Sequence, residues 1–334
     1  MKLWPLVRCL SDVLRGRLRG RLRLWGAVAA LVTLAACSTL KLTYNNADML
    51  VRYRVSDYVD FTPAQTEQFK ARFATLHRWH RSEELPAYAE LVRQAGNKIS
   101  LGLSAEDVSW AISNARSRYR KLTARAAADA APIVASFTRE QLQQVEKKFS
   151  ENNRKFARDY LEGDPRSSRH KRATQLEDYF RDWIGHLNDP QEQRIDRFVD
   201  EFGHMQALRL EDRQRTQQEF LALARAERDP VRLAPRLAAL FSNPEAGRSA
   251  EFRSAMARYE AEIAALILDI DRLLSPQQRR RAERRALDYA EDFTILNKAH
   301  SAAGAGAESA GTLVALPRAD IVSEASRAGL RRER

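Results

Sequence analysis

Apolar positions along this chain recur at three- and four-residue intervals, the spacing that places them on one face of an α-helix. One such stripe is Leu142, Val145, Phe149, Phe156 and Tyr160, and another is Val108, Ile112, Ala115, Tyr119, Leu122 and Ala126. The most regular is Phe252, Met256, Tyr259, Ile263, Ile267, Ile270 and Leu274, a seam of more than five turns that calls for partner helices. No stretch carries the two-residue alternation of a half-buried strand.

A short signature recurs ahead of these stripes: an apolar residue, then Ser, Thr or Asn, then two residues, then Gln or Asp. It reads Phe61-Thr62-Pro63-Ala64-Gln65, Leu103-Ser104-Ala105-Glu106-Asp107, Phe137-Thr138-Arg139-Glu140-Gln141, Leu187-Asn188-Asp189-Pro190-Gln191 and Leu274-Ser275-Pro276-Gln277-Gln278. This is the chemistry of a capping box. The Ser, Thr or Asn side chain accepts from a free N–H of the first turn, and the side chain three residues on reaches back to the cap. Pro63 and Pro276 stand at the first helical position, where a missing N–H costs nothing. Five helix starts follow.

Breaks are expected at Gly163-Asp164-Pro165, at Asp229-Pro230 with Pro235, and at Ser242-Asn243-Pro244. Residues 190–228 contain only Gly203 as a breaker and should form one long helix or two. Ala47, Leu50, Val51, Val55, Tyr58 and Val59 suggest a first helix. Beyond Ser301, Ala, Gly and Ser dominate without apolar spacing, which predicts a disordered tail. The expected fold is all-α, an array or bundle of about eight amphipathic helices. Its segments are a leader at 1–36, a membrane-proximal first helix at 37–60, a helical domain at 61–300 and the tail at 301–334.

The leader has a basic start (Lys2, Arg8, Arg15, Arg17, Arg19, Arg21, Arg23) and then a 13-residue uncharged run at 24–36. That run is too short for the ~20 residues of a permanent span and reads as a secretory signal. It closes on Leu34-Ala35-Ala36-Cys37, which resembles the lipobox of bacterial lipoproteins. The resemblance implies cleavage before Cys37 and a diacylglycerol on its thiol, with each buried methylene contributing about 0.8 kcal/mol of anchoring. Ser38, where an Asp would retain the protein at the inner membrane, implies sorting to the outer membrane, with the body facing the periplasm.

Composition is read after that removal. The formal net charge of the whole chain is +12, and the leader carries seven basic groups and Asp12, which leaves about +6 on the remaining 298 residues. With Cys9 lost and Cys37 acylated, no thiol remains for a disulfide, a redox pair or a cysteine metal site.

Candidate chemistry is sparse. His77, His80 and Glu84 share a helical face and could hold zinc. The alternative is a helix-end cluster in which Trp79 packs, Arg81 pairs with a carboxylate and Pro86 starts the next helix, and this is the favoured reading. Arg279, Arg280, Arg281, Arg284 and Arg285 form a basic surface suited to lipid headgroups, lipopolysaccharide phosphates or an acidic protein. The competing reading is a solvated face of an amphipathic helix, with Ala282, Ala286, Tyr289 and Phe293 inward. His170 is expected in a Ser- and Arg-rich loop, and His186 and His204 beside apolar positions. No nucleophile–base–acid set, phosphate loop, dinucleotide fingerprint or heme motif is present, so no cofactor is implied. Export excludes nucleic acid as a partner. Tyr44, Tyr53 and Tyr58 suit either the membrane interface or the packing of the first helix.

Two family resemblances rest on these residues. Leu42-Thr43-Tyr44-Asn45-Asn46, Ser56-Asp57-Tyr58-Val59-Asp60, Trp79-His80-Arg81 and Glu84-Leu85-Pro86-Ala87-Tyr88 resemble the bacterial lipoprotein family called domain of unknown function 6279, over most of the mature chain. That family implies no activity. More distantly, the repeated helix start is similar to the Leu-Thr-x-x-Gln repeats of the periplasmic Spy and CpxP chaperones, which implies ATP-independent binding of unfolded clients. The expectation is a non-enzymatic, lipid-anchored protein that binds other macromolecules, chaperone-like toward periplasmic clients. An envelope-assembly or cell-wall scaffold and a metal enzyme at His77, His80 and Glu84 are the alternatives.

Overall fold

A computed structural model describes residues 39–242 and 247–312, with side chains through 298. Residues 1–38, which hold the expected leader and Cys37, residues 243–246 and residues 313–334 lie outside the described residues. The elements are α1 (Thr39–Asn45), α2 (Ala47–Ser56), α3 (Pro63–Trp79), a π-helical turn (His80–Glu84), α4 (Leu85–Leu101), α5 (Ala105–Ala135) and α6 (Arg139–Tyr160). They continue as α7 (Pro165–Ile184), α8 (Asp189–Glu201), α9 (Met205–Ala226), α10 (Pro230–Ser242), α11 (Ala250–Arg272) and α12 (Pro276–Thr312). Every element among the described residues is helical, and none is long and apolar enough to cross a membrane.

All five signatures are capping boxes, and four of them join in pairs. Gln65 and Gln141 each use Oε1 to accept from their own cap, Thr62 N–H and Thr138 N–H, both at 3.0 Å. Each also donates Nε2 to the other's Oε1, at 3.1 and 2.7 Å. The second Nε2 hydrogen reaches the carbonyl two residues before the partner's cap, Ser136 at 3.3 Å and Asp60 at 2.7 Å.

The same circuit repeats in the second half of the chain. Gln191 and Gln278 exchange bonds of 3.1 and 3.0 Å, cap Asn188 and Ser275, and donate to Leu273 O at 3.2 Å and His186 O at 2.8 Å. Gln141, Gln191 and Gln278 therefore make four bonds each, the full capacity of a glutamine side chain, and Gln65 shares one Nε2 hydrogen between Ser136 O and Ser136 Oγ, the latter at 3.0 Å. The fifth box, Ser104 with Asp107, joins no pair because a carboxylate has no N–H to return. Lys98 bonds Asp107 instead and, with the Ser104 cap, pulls its pKa down to about 2.

Each clasp roofs one hydrophobic cluster. Beneath Gln65–Gln141 lie Val59, Phe137, Leu142, Val145, Leu221, Leu233 and Leu237, with Phe61 and Phe69 packed against them. Beneath Gln191–Gln278 lie Ile184, Leu187, Ile195, Phe198, Met205, Leu266, Ile270 and Ala282. α10 packs along α5, α9 against α6, α8 against α11, and α12 along α4. The last pair runs close because Gly96 faces Ala286, where an added Cβ would stand 3.2 Å from the alanine's.

Several local expectations differ from the structure. The helices outnumber the expected eight because the Glu201–Met205 corner around Gly203 divides α8 from α9, the π turn divides α3 from α4, and α1 precedes the expected first helix. Pro235 lies inside α10 rather than at a break, and Pro132 lies inside α5. Each proline frees the carbonyl four residues earlier, and Val231 and Ala128 are both exposed, so water can satisfy them. His170 lies in α7, not in a loop, since Asp164 caps and Pro165 starts that helix. α12 passes Ser301 and runs to Thr312, in keeping with the helix propensity of its alanines. Ala115 and Tyr119 are exposed, because the middle of α5 spans the space between the clusters.

The clasps yield a test. Gln191→Leu strands its own cap N–H and the amide of Gln278, so urea unfolding should show a loss of about 3 kcal/mol. Adding Gln278→Leu should cost less than the second single change by about 1 kcal/mol or more. Simple additivity would contradict the paired circuit.

Candidate functional site

The α11 seam is closed against α8 at Phe198 and Phe202 but stays open in its middle. α7 presents Leu176, Phe180 and Trp183 towards Ile263, Ile267 and Ile270 of α11, and the two helices do not pack closely together. Between them is a cleft of about 480 Å³, lined also by Ala282, Ile99 and Leu103. That volume lies in the range of small-molecule and side-chain binding pockets. Asp271, the one acidic residue of its lining, is held by both guanidinium nitrogens of Arg279, at 2.9 and 3.1 Å. It also accepts from Leu103 N–H at 3.0 Å, so the cleft presents a neutralised, apolar wall.

The five arginines divide by helical position. Arg279 is structural: besides Asp271 it bonds Ile99 O at 2.6 Å, closing the end of α4. Arg285 pairs with Asp182 at 2.6 Å and stacks on Tyr289. Arg281 lies across Gly185, whose φ of +85° ends α7, and Arg280 and Arg284 are exposed. The structure thus leaves Arg280, Arg281 and Arg284 as the solvent-facing basic group of α12, with Arg280 and Arg284 nearly opposite Ala282, which lines the cleft.

His77, His80 and Glu84 meet a different neighbourhood. Pro86 cannot donate to Ser82, so the backbone widens into the π turn and Leu85 N–H bonds His80 O five residues back. This drives Glu84 inward, where it is fully buried and pairs with Lys121 at 2.6 Å and Arg118 at 3.5 Å. Trp79 packs under Lys121 and Arg125. Arg81 binds Asn45 Oδ1 at 2.8 Å and stacks on Tyr44 rather than pairing with a carboxylate. Among the described residues no three His, Cys, Asp or Glu side chains stand where they could share a metal ion.

The cluster clamps α1 to the body. Tyr44 shares a 2.8 Å hydrogen bond with His80 Nδ1 and packs on His77, while Lys41 pairs with Asp292 of α12 at 2.8 Å. Burial raises the Tyr44 phenol to about 12 against the pull of Arg81. Burial also holds His80 below its ordinary value, with Glu84 opposing and His77 adding to the shift. Tyr58 packs on Phe149 rather than at an interface, and Tyr53 is exposed.

With these positions in view, the comparison with known families is specific. The model of the family of unknown function DUF6279 matches residues 57–253, more than half of the chain. The chain belongs to that family. No curated protein and no solved structure matches it. The DUF6279 match takes in the first clasp, the π turn, Gln191 and all of α7, and stops at the start of α11. It leaves out Leu42–Asn46, so the Tyr44–His80 clamp joins a residue outside the matched segment to one inside it.

The cleft was not anticipated from the sequence. Leu176, Phe180 and Trp183 stand at helical spacing, and the α11 seam is longer than its partners could cover. Those two features are its signal in the chain.

The clamp yields a pH prediction. Unfolded chains take up a proton at His80 where the folded protein does not. The clamp's contribution is therefore whole above the ordinary value of 6.5 and is lost as pH falls through the lower folded one. Protection of the α1 amides, measured against the intrinsic exchange rate at each pH, should fall on acidification to about pH 5, and less so in His80→Gln. Equal responses in the two proteins would contradict this role.

Proposed function

We propose that this DUF6279 protein is a non-enzymatic, lipid-anchored binding protein of the bacterial outer membrane. It faces the periplasm and takes apolar segments of other proteins into the α7–α11 cleft, acting as a tethered, chaperone-like holder. The observation that carries this reading is the cleft itself. Its walls are aliphatic and aromatic, it is open to solvent along Tyr179, and its acid is neutralised by Arg279. Burying one leucine-sized side chain there contributes about 2 kcal/mol, enough for reversible capture of several residues but not for a permanent complex.

The lipobox at Cys37 supports the anchored half of the reading. A holder fixed to the membrane works at high local concentration on clients that pass it. Arg280, Arg281 and Arg284, exposed on α12, suit acidic flanks of a client or anionic groups of the envelope. The chemistry at Glu84 favours clamping over catalysis, since its carboxylate is committed to Lys121 and Arg118.

The test uses the acylated full chain purified from bacterial membranes, mixed at stoichiometric ratio with a chemically unfolded protein. Suppression of light scattering is expected from the wild type. Ile267→Glu puts a charge in the cleft wall at a half-exposed position that tolerates it, and should abolish most of the suppression while leaving helix content unchanged. Wild-type protein that suppresses nothing, or Ile267→Glu that suppresses equally well, would refute the cleft as the holding site.

A further inference from the structure

We infer that α2 is an interfacial helix that lies in the surface of an anionic bilayer and sets the orientation of the body upon it. The inference rests on the lipid-anchor reading of Cys37 and adds a second, non-covalent membrane contact.

α2 has no buried residue, and only its half-buried Val55 packs against the first hydrophobic cluster. Yet residues 42–53 carry a dense group of exposed apolar side chains, with Leu42 63 %, Met49 51 %, Leu50 42 % and Tyr53 71 % accessible. At about 100° per residue, Met49, Tyr53 and Leu50 fall within one arc of roughly 100°. Arg52 lies beyond one edge of that arc and Arg54, in an exposed ion pair with Asp57 at 3.0 Å, beyond the other, while Asp48 lies away from it. An apolar strip bordered on both sides by long basic side chains is the arrangement of a helix lying in the headgroup plane. There the arginines reach out to phosphates while the strip enters the acyl boundary.

The geometry around α2 favours a lipid surface over a protein partner. Leu42 stands five residues beyond Cys37, so an acyl chain on that cysteine brings this strip to the bilayer whatever else binds. A groove of about 450 Å³ between α2 and the start of α3 is lined by Met49, Tyr53, Val59 and Phe61, with Arg52 and with Asp60, whose carboxylate accepts from Gln144 Nε2 at 3.0 Å. Its apolar wall with the Arg52 guanidinium beside it can take an acyl chain and the phosphate that carries it. α1, meanwhile, is fixed to the body through Tyr44–His80, Asn45–Arg81 and Lys41–Asp292. An α2 seated in the membrane would therefore hold the body at one angle rather than leave it swinging on a tether.

The test places an environment-sensitive nitrobenzoxadiazole probe at Met49→Cys, with Leu101→Cys at the far end of α4 as the comparison. The acylated full chain is reconstituted on phosphatidylcholine vesicles with and without phosphatidylglycerol, carrying doxyl-labelled lipid. A blue shift and quenching at position 49 but not at 101, stronger with phosphatidylglycerol and weakened by Arg52→Ser with Arg54→Ser, is the expected result. Co-flotation with the vesicles and no quenching at 49 would overturn this inference and leave the anchor standing. Failure to co-float would remove the anchor reading and this inference together. A disulfide between two copies of the unlabelled Met49→Cys protein, with no quenching of the probe, would assign the strip to a second copy and overturn it as well.

Discussion

Everything in this structure hangs on two pairs of glutamines, Gln65, Gln141 and Gln191 buried and Gln278 half-buried. A helix N-terminus leaves backbone N–H groups without partners, and a buried corner between helices cannot leave them so. In Gln65–Gln141 and Gln191–Gln278, one side chain satisfies its own helix start and, with its remaining hydrogens, the turn before its partner's. Residues 76 and 87 positions apart are joined in this way. Because every donor and acceptor of the amide is used, no single shift in register preserves the set. Such circuits specify one arrangement more than they add net stability.

The two clasps divide the work of the chain. The first gathers α3, α5, α6, α10 and the C-terminal half of α9 over one cluster, and the second gathers α7, α8, α11, α12 and the start of α9 over the other. α5 crosses from one to the other, its exposed middle tied to the second half by Arg116–Glu260 and to the π turn by Arg118–Glu84. Within the second unit, α7 and α11 are held by their turns and by their outer partners rather than by each other. The cleft is the consequence: the clasp fixes the ends of both helices and leaves their middle faces uncovered. The clamp on α1 is built separately, from the π turn and Asp292 of α12, and none of its residues lines the cleft.

How much of this could be read from the sequence follows from the range of the interactions. Capping is local, and all five helix starts were legible because Thr, Ser or Asn and the residue three further on lie within one turn. That four would pair and one would not was legible in principle, since Asp107 lacks the N–H that Gln65, Gln141, Gln191 and Gln278 bring. Which Gln meets which was not, because the pairing spans the whole fold. The five arginines read as one surface because they are close in the chain, yet helical rotation sends Arg279 inward to Asp271 and turns Arg280 and Arg284 out. His77, His80 and Glu84 share a helical face on paper. The π turn forced by Pro86 changes the phase of that face, and the charge that answers Glu84 comes from Lys121, far along the chain.

The most direct test of a tethered holder is photo-crosslinking in living cells from a photoreactive residue at Ile267 in the cleft wall, compared with one at exposed Val231 on α10. Position 267 should trap many different exported proteins and position 231 few. A single dominant adduct at 267 would identify a scaffold instead, and equal yields from both positions would contradict the cleft as the site of action.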